Sequence, residues 1–186
     1  GNNTWDGPVR TTLLTTLTFD VTAGSLLIKG DVNAASTDNA NHTLNMQGSG
    51  TGEIQGVVSN TFGVNKTGTS TWIFSGANTY TGKTSVTGGV LSISADNNLG
   101  AAPGSNVDDQ LTLDGGTLQT TASLTIASTR RITVGTSGGT FDTAATTTAT
   151  VNSVILGGGP ITKMSAGTLV FTAANTYTGK TSIQEG

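Results

Sequence analysis

Cysteine is absent from these 186 residues and charge is scarce, with only 10% of side chains Asp, Glu, Lys or Arg and 5% aromatic. Without cysteine there is neither a disulfide framework nor a thiolate zinc site. With a net charge of -3 and no basic run longer than Arg130-Arg131, the chain lacks the electrostatic footprint of a nucleic-acid binder. No window approaches the ~20 apolar residues of a spanning helix, so this segment is not expected to insert directly into a membrane. The single histidine, His42, stands in a polar stretch with no second ligand at metal spacing, and reads as a surface residue. Gly157-Gly158-Gly159-Pro160 breaks the Gly-Gly-x-Gly-x-Asp pattern of calcium-binding repeats. No cofactor and no metal site is expected.

What is abundant points one way. Roughly a fifth of the residues are Thr and 27 are Gly, a bias towards pleated, half-solvated strands joined by tight turns. The turn-rich start, Gly1 to Pro8, reads as a loop anchored by Trp5. After it, Leu17, Phe19 and Val21 share one face at period two, and Ser25 to Lys29 follows Gly24. The segment from Asp31 to Asn41 reads as a loop. Short strands resume at Thr43 to Met46 and Glu53 to Val58, separated by the Gly48-Ser49-Gly50-Thr51-Gly52 turn. Further strands are expected at Thr71 to Ser75, Lys83 to Val86, Val90 to Ser94, Gln110 to Leu113, Thr117 to Thr120, Leu124 to Ala127, Arg131 to Val134 and Thr140 to Asp142. The polar run from Thr143 to Thr150 reads as a connection, with strands at Val151 to Leu156 and Ile161 to Met164 beyond it. Helical periodicity is not sustained anywhere.

One stretch returns unchanged: Ala77-Asn78-Thr79-Tyr80-Thr81-Gly82-Lys83-Thr84-Ser85 recurs as Ala174 to Ser182, 97 positions later. Around it Trp72-Ile73-Phe74-Ser75 becomes Leu169-Val170-Phe171-Thr172, and Lys66 becomes Lys163. Such self-similarity marks stacked repeats. It predicts one all-β domain over residues 1–186, a right-handed parallel β-helix (β-solenoid) of about eight coils, with related modules at 66–89 and 163–186. Coils of ~20 to 24 residues at ~4.8 Å spacing would make a rod of about 40 Å, with Leu, Ile, Val and Phe in the lumen and Thr outside. The turn residues Asn78, Thr79, Tyr80, Thr81 and Gly82, and their copies Asn175, Thr176, Tyr177, Thr178 and Gly179, are expected to be structural. Asn78 and Asn175 would cap turns or stack between coils, and Tyr80 and Tyr177 would lie over the turn with their hydroxyls in water.

The pattern Lys-Thr-Gly-x-x-Thr-(Trp/Leu)-(Ile/Val)-Phe-(Ser/Thr)-x-Ala-Asn-Thr-Tyr-Thr-Gly-Lys-Thr resembles the autotransporter-associated β-strand repeat of Gram-negative passenger domains and other large exported bacterial proteins. Leu111-Thr112-Leu113-Asp114-Gly115-Gly116-Thr117-Leu118 and Arg131-Ile132-Thr133-Val134-Gly135 are similar in style, so the resemblance runs from about Phe62 to the end. It implies a parallel β-helix at the bacterial surface or outside the cell, usually accompanied by a signal peptide and a translocator barrel. It implies no catalytic activity.

Competing chemistries fit less well. Thr81-Gly82-Lys83-Thr84 ends like a phosphate-binding loop, but position 77 is Ala where Gly is required, and a strand follows where a helix N-terminus should. A lyase-type site would need acidic ligands beside a base, and Asp108, Asp109, Asp114, Arg130 and Lys163 fall at no such spacing. The reading is therefore a non-enzymatic extracellular scaffold. Its alternatives are a filament subunit associating end to end through uncapped coils, and a β-helix that binds a surface glycan, a host surface or a polysaccharide substrate. At the repeat offset Gly186 matches Gly89, so the second module is expected to lack its last strand.

Overall fold

The computed structural model describes residues 1–11, 16–34, 42–60 and 63–186. Alternating burial along short strands dictates the architecture: Thr71–Phe74 and Thr117–Thr120 each bury every second side chain, which leaves one face of each strand for a core and one for water. Nine such strands pair side by side in the longest sheet: Asn2–Trp5, Ser25–Ile28, Thr51–Ile54, Thr71–Phe74, Val90–Ile93, Thr117–Thr120, Gly139–Thr143, Ile161–Met164 and Thr181–Ile183. A second sheet holds seven, Thr16–Val21, Thr43–Gly48, Gly63–Lys66, Thr84–Val86, Val107–Leu113, Arg130–Val134 and Ile155–Gly157. The third side carries two sheets of three strands, one formed by Val9–Thr11, Val32–Ala34 and Val58–Ser59, the other by Leu124–Ile126, Thr148–Val151 and Thr168–Phe171.

The chain passes from long sheet to third side to second sheet and back, and adjacent strands run parallel, as in the pairings of Thr71–Phe74 with both its neighbours. This is a parallel β-solenoid of about seven turns, counted on the seven-stranded sheet, against the eight expected. Coil length is less uniform than the sequence suggests, from 19 residues between paired Thr71 and Val90 to 27 between paired Val90 and Thr117. The coil from Val90 to Thr117 contains a 3-10 turn, Asp96–Leu99.

Stacked inward positions form the core. Ile28, Ile54, Phe74 and Ile93 follow one another up the long sheet, and Leu91, Leu118 and Phe141 form a neighbouring column. Thr51, Thr71, Thr117, Thr140 and Thr162 occupy an outward column of the same sheet, where β-branched side chains meet solvent. One large ring forces a small neighbour. The Trp72 indole, stacked on Phe19 with ring centroids 5.8 Å apart, fills the space over Gly52, where a Cβ would stand 2.5 Å from the ring.

Several elements depart from the sequence reading. The opening residues are a strand, Asn2–Trp5, paired with Ser25–Ile28, because backbone pairing with the next coil outweighs their turn propensity. Gly52 lies within a strand and not in a turn. The Thr-Ala run contributes the strand Thr148–Val151, whose Ala149 and Val151 turn inward while Thr150 stays outside. Within the supposed loop from Asp31 to Asn41, Val32–Ala34 is a strand; residues 35–41, like 12–15 and 61–62, lie outside the described residues.

The corner after Lys163 places Ser165 at φ 61°, where the corner after Lys66 has Gly68 at φ 65°. A left-handed backbone costs a side-chain-bearing residue roughly 1 kcal/mol relative to glycine. Ser165→Gly is expected to raise stability by about 0.5–1 kcal/mol in chemical denaturation, while Gly68→Ser lowers it by more than that, because a Cβ there would also stand 2.7 Å from the Gly48 carbonyl oxygen.

Candidate functional site

The repeated residues converge on two clamps in each copy. Lys66 occupies a lumen column between Met46 and Val86, and no part of it is exposed. An ammonium cannot remain there unpaired. The side chain turns to the coil corner, where Nζ donates to the carbonyls of Thr67 at 2.7 Å, Gly68 at 3.4 Å and Gly88 at 2.9 Å. Lys163 repeats this at its own corner, donating to Met164 at 2.8 Å, Ser165 at 2.5 Å and Glu185 at 3.3 Å. In each copy two carbonyls follow the lysine directly and the third lies 22 residues later, one coil further on. Burial pulls the Lys66 pKa down to about 8.

The second clamp is the asparagine. Asn78 Oδ1 accepts from Val58 N at 2.8 Å, and Nδ2 donates to Asn98 O at 2.6 Å, so one amide joins three successive coils. The backbone amides of Thr79 and Tyr80 both donate to Val58 O, at 2.9 and 3.2 Å. In the second copy Asn175 Oδ1 accepts from Ile155 N at 2.8 Å, and Thr176 and Tyr177 amides share Ile155 O at 2.9 and 3.1 Å. Tyr80 lies in the core with no exposed surface, in place of the expected position over the turn. Its hydroxyl shares a 2.8 Å hydrogen bond with Thr84 Oγ1, and burial pushes the phenol pKa upward against the small opposing effect of that bond. Tyr177 and Thr181 make the same pair at 2.7 Å. Thr79 and Thr81 face outward, and Gly82 O accepts from the Gln110 side chain at 3.0 Å.

The two copies do not sit above one another. Lys66 belongs to the second sheet and Lys163 to the long sheet. Trp72 lies in the long sheet and its counterpart Leu169 on the third side. Asn78 bonds over the third-side strand Val58–Ser59, whereas Asn175 bonds over Ile155 of the second sheet. Following the register from Lys66 through Val86, Leu113 and Val134 to Gly157 climbs four turns, and Lys163 then lies on the next face. The spacing of 97 is four turns and one face. The repeated turn therefore does not recur at a fixed place around the solenoid.

The remaining charged candidates are dispersed into separate contacts. Arg130 is fully buried and ties down the long coil: its guanidinium contacts Asp96 at 3.1 and 3.3 Å and donates to the carbonyls of Leu99 at 2.8 Å and Gly100 at 3.0 Å. Asn98, also buried, accepts from Ser94 N and Ala95 N and donates to Gly76 O. Asp108 meets Arg131 at 2.8 Å, Asp109 meets Lys83 at 3.7 Å, and Asp114 accepts from Ser137 N. His42 is buried at the head of Thr43–Gly48 and is not a surface residue. Among the described residues no three His, Asp or Glu side chains gather where a metal could bind, and no helix is long and apolar enough to cross a membrane.

The role of the lysines escaped sequence reasoning. The available signal was parity: Lys66 shares its face with Val64, and Arg130 with Ile132 and Val134, so period two places both cations indoors.

A parallel solenoid whose coils are closed by internal lysine and asparagine clamps defines a structural repeat class, and the comparisons with known proteins agree. The chain carries two copies of the passenger-associated-transport-repeat, at residues 64–93 and 161–186. It is also 43% identical over 117 residues to the adhesin BmaC autotransporter of Brucella suis biovar 1. That match covers 62% of this chain and 3% of the relative, so the chain spans a small fraction of the protein it resembles. No solved structure matches significantly. The repeat and the relative identify an autotransporter passenger repeat, located at the bacterial cell surface or outside the cell.

Two measurements probe the clamps. Asn78→Ala strands a buried amide and a buried carbonyl, each costing ~1–3 kcal/mol, and is expected to destabilise by about 3 kcal/mol in urea. Asn175→Ala, losing the single bond to Ile155 at a half-buried site, should cost about 1 kcal/mol. For Lys66, the folded pKa of about 8 lies below the unfolded value near 10.5, so the unfolded chain binds the extra proton in that interval. The Lys66 contribution to stability should therefore be constant below pH 8 and rise from pH 8 towards 10. Above pH 10 ionisation of Tyr80 in the unfolded chain opposes the rise. Urea midpoints across this range would show it, and Lys66→Met should abolish the increase.

Proposed function

We propose that this chain is a rigid, non-enzymatic stretch of an autotransporter passenger, a rod that holds more distal parts of the protein away from the bacterial surface. The observation that carries this reading is where the polar chemistry is spent. Lys66, Lys163, Asn78, Asn98 and Arg130 all donate to backbone carbonyls, and Arg130 also to Asp96. The long sheet carries an outward column that is mostly threonine, interrupted by Val90, and in the second column the acids Glu53 and Asp142 are separated by Ile73, Ser92 and Gln119.

The relative is an adhesin by name, and we place adhesion elsewhere in such a passenger, with this segment as spacer. The turn residues Asn78 to Gly82 and Asn175 to Gly179 then act as coil connectors within a single domain spanning residues 1–186. Burial of Tyr80 supports this over glycan binding by a tyrosine pair, because a sugar platform needs an exposed ring.

Purified chain is tested by direct binding to immobilised glycans, extracellular-matrix proteins and cultured host cells, alongside assays for polysaccharide cleavage. The expected outcome is background binding, no new chain ends, and an elongated particle in small-angle scattering. Saturable binding to any one surface, or turnover of a polysaccharide, would overturn the spacer assignment.

A further inference from the structure

We infer that Lys66 and Lys163 are internal locks that set the register of each transport repeat from within the repeat, independently of the face on which it lies. Three observations lead there. The first is placement: Lys66 stands in the column Met46, Lys66, Val86, Leu113, and Lys163 in the column Leu118, Phe141, Lys163, Ile183, where every other member is apolar. A cation at such a position is costly unless its donors are consumed.

The second is identity of geometry. Each ammonium bridges the corner that opens its repeat and the corner one coil later, using carbonyls at the same three sequence offsets. The residues two and 23 positions after each lysine have left-handed backbones in both copies: Gly68 and Gly89, Ser165 and Gly186. A Cβ at Gly89 would stand 2.6 Å from Lys66 Nζ, and one at Gly186 3.0 Å from Lys163 Nζ, so the backbone is folded closely around the charge.

The third is the change of face. The neighbours of the two lysines differ, Met46 and Val86 for one and Phe141 and Ile183 for the other, yet the clamp is the same. Contacts set by adjacent coils would differ with the face; a bond that starts and ends inside one repeat does not.

Amide hydrogen exchange on the full 186-residue chain tests this. In Lys66→Ala, amides beside the lock, Thr87 bonded to Lys66 O and Val90 bonded to Ser70 O, should exchange at least tenfold faster. Those of the distant strand Gly139–Thr143 should change less than twofold. Adding ethylammonium should return Thr87 and Val90 towards wild-type rates by refilling the carbonyl nest, and tetramethylammonium, which has no N–H, should not. Lys163→Ala provides the same comparison at Gln184, bonded to Lys163 O, where the last coil can loosen without unfolding the rest. Lys66→Met with undisturbed protection, or loosening spread evenly through the chain and insensitive to ethylammonium, would overturn the lock.

Discussion

Corners are the problem this fold has to solve. Parallel strands satisfy each other's backbone groups along their length, but where the chain turns from one sheet to the next the carbonyls and amides lose those partners. A buried group left so costs as much as a strong hydrogen bond yields. Here an ammonium collects three carbonyls at a corner, and an asparagine amide supplies an acceptor and a donor where the strand ladder lapses. The lumen can then be filled by ordinary aliphatic and aromatic packing, with Gly52 making room for Trp72.

The same need explains the contact between Arg130 and Asp96. The coil from Val90 to Thr117 leaves the regular path at Ala95, and nothing in a plain rod requires a buried arginine paired with an aspartate. Arg130 is indoors because the 3-10 turn leaves the Leu99 and Gly100 carbonyls facing inward, and Asp96 offsets the charge thus buried. Asn98 holds the other foot of the excursion against Gly76. Many buried polar groups of this solenoid therefore sit at strand ends, as Lys66, Thr84, Thr120, Arg130 and Thr143 do, although Ser92 and Gln110 lie within strands.

Architecture was largely legible from the chain alone. Alternation at Thr71 to Phe74, the Gly-Gly corner at Gly88-Gly89, and the verbatim repeat suffice for a parallel solenoid, because each expresses a local rule of strand and turn geometry. What stayed hidden depends on partners far away in sequence. Tyr80 looked like a turn residue and lies in the core because Asn78 and Tyr80 both point inward in the extended stretch. Asn2–Trp5 became a strand only through Ser25–Ile28. The distribution of the two copies over different faces could not be read from a spacing of 97, since coils of 19 to 27 residues make the number of turns in that interval ambiguous.

That change of face bears on how such rods lengthen. A unit whose closure is internal can be copied into the solenoid without matching the side chains of one particular wall. At the offset seen here each new copy is advanced by about a third of a revolution relative to the last, and a fourth copy would return to the wall of the first. Any loop carried by the unit would then be dealt to the three walls in turn, arranged around the rod like steps on a spiral stair. Growth by duplication would leave no side of the shaft privileged for bending or for display.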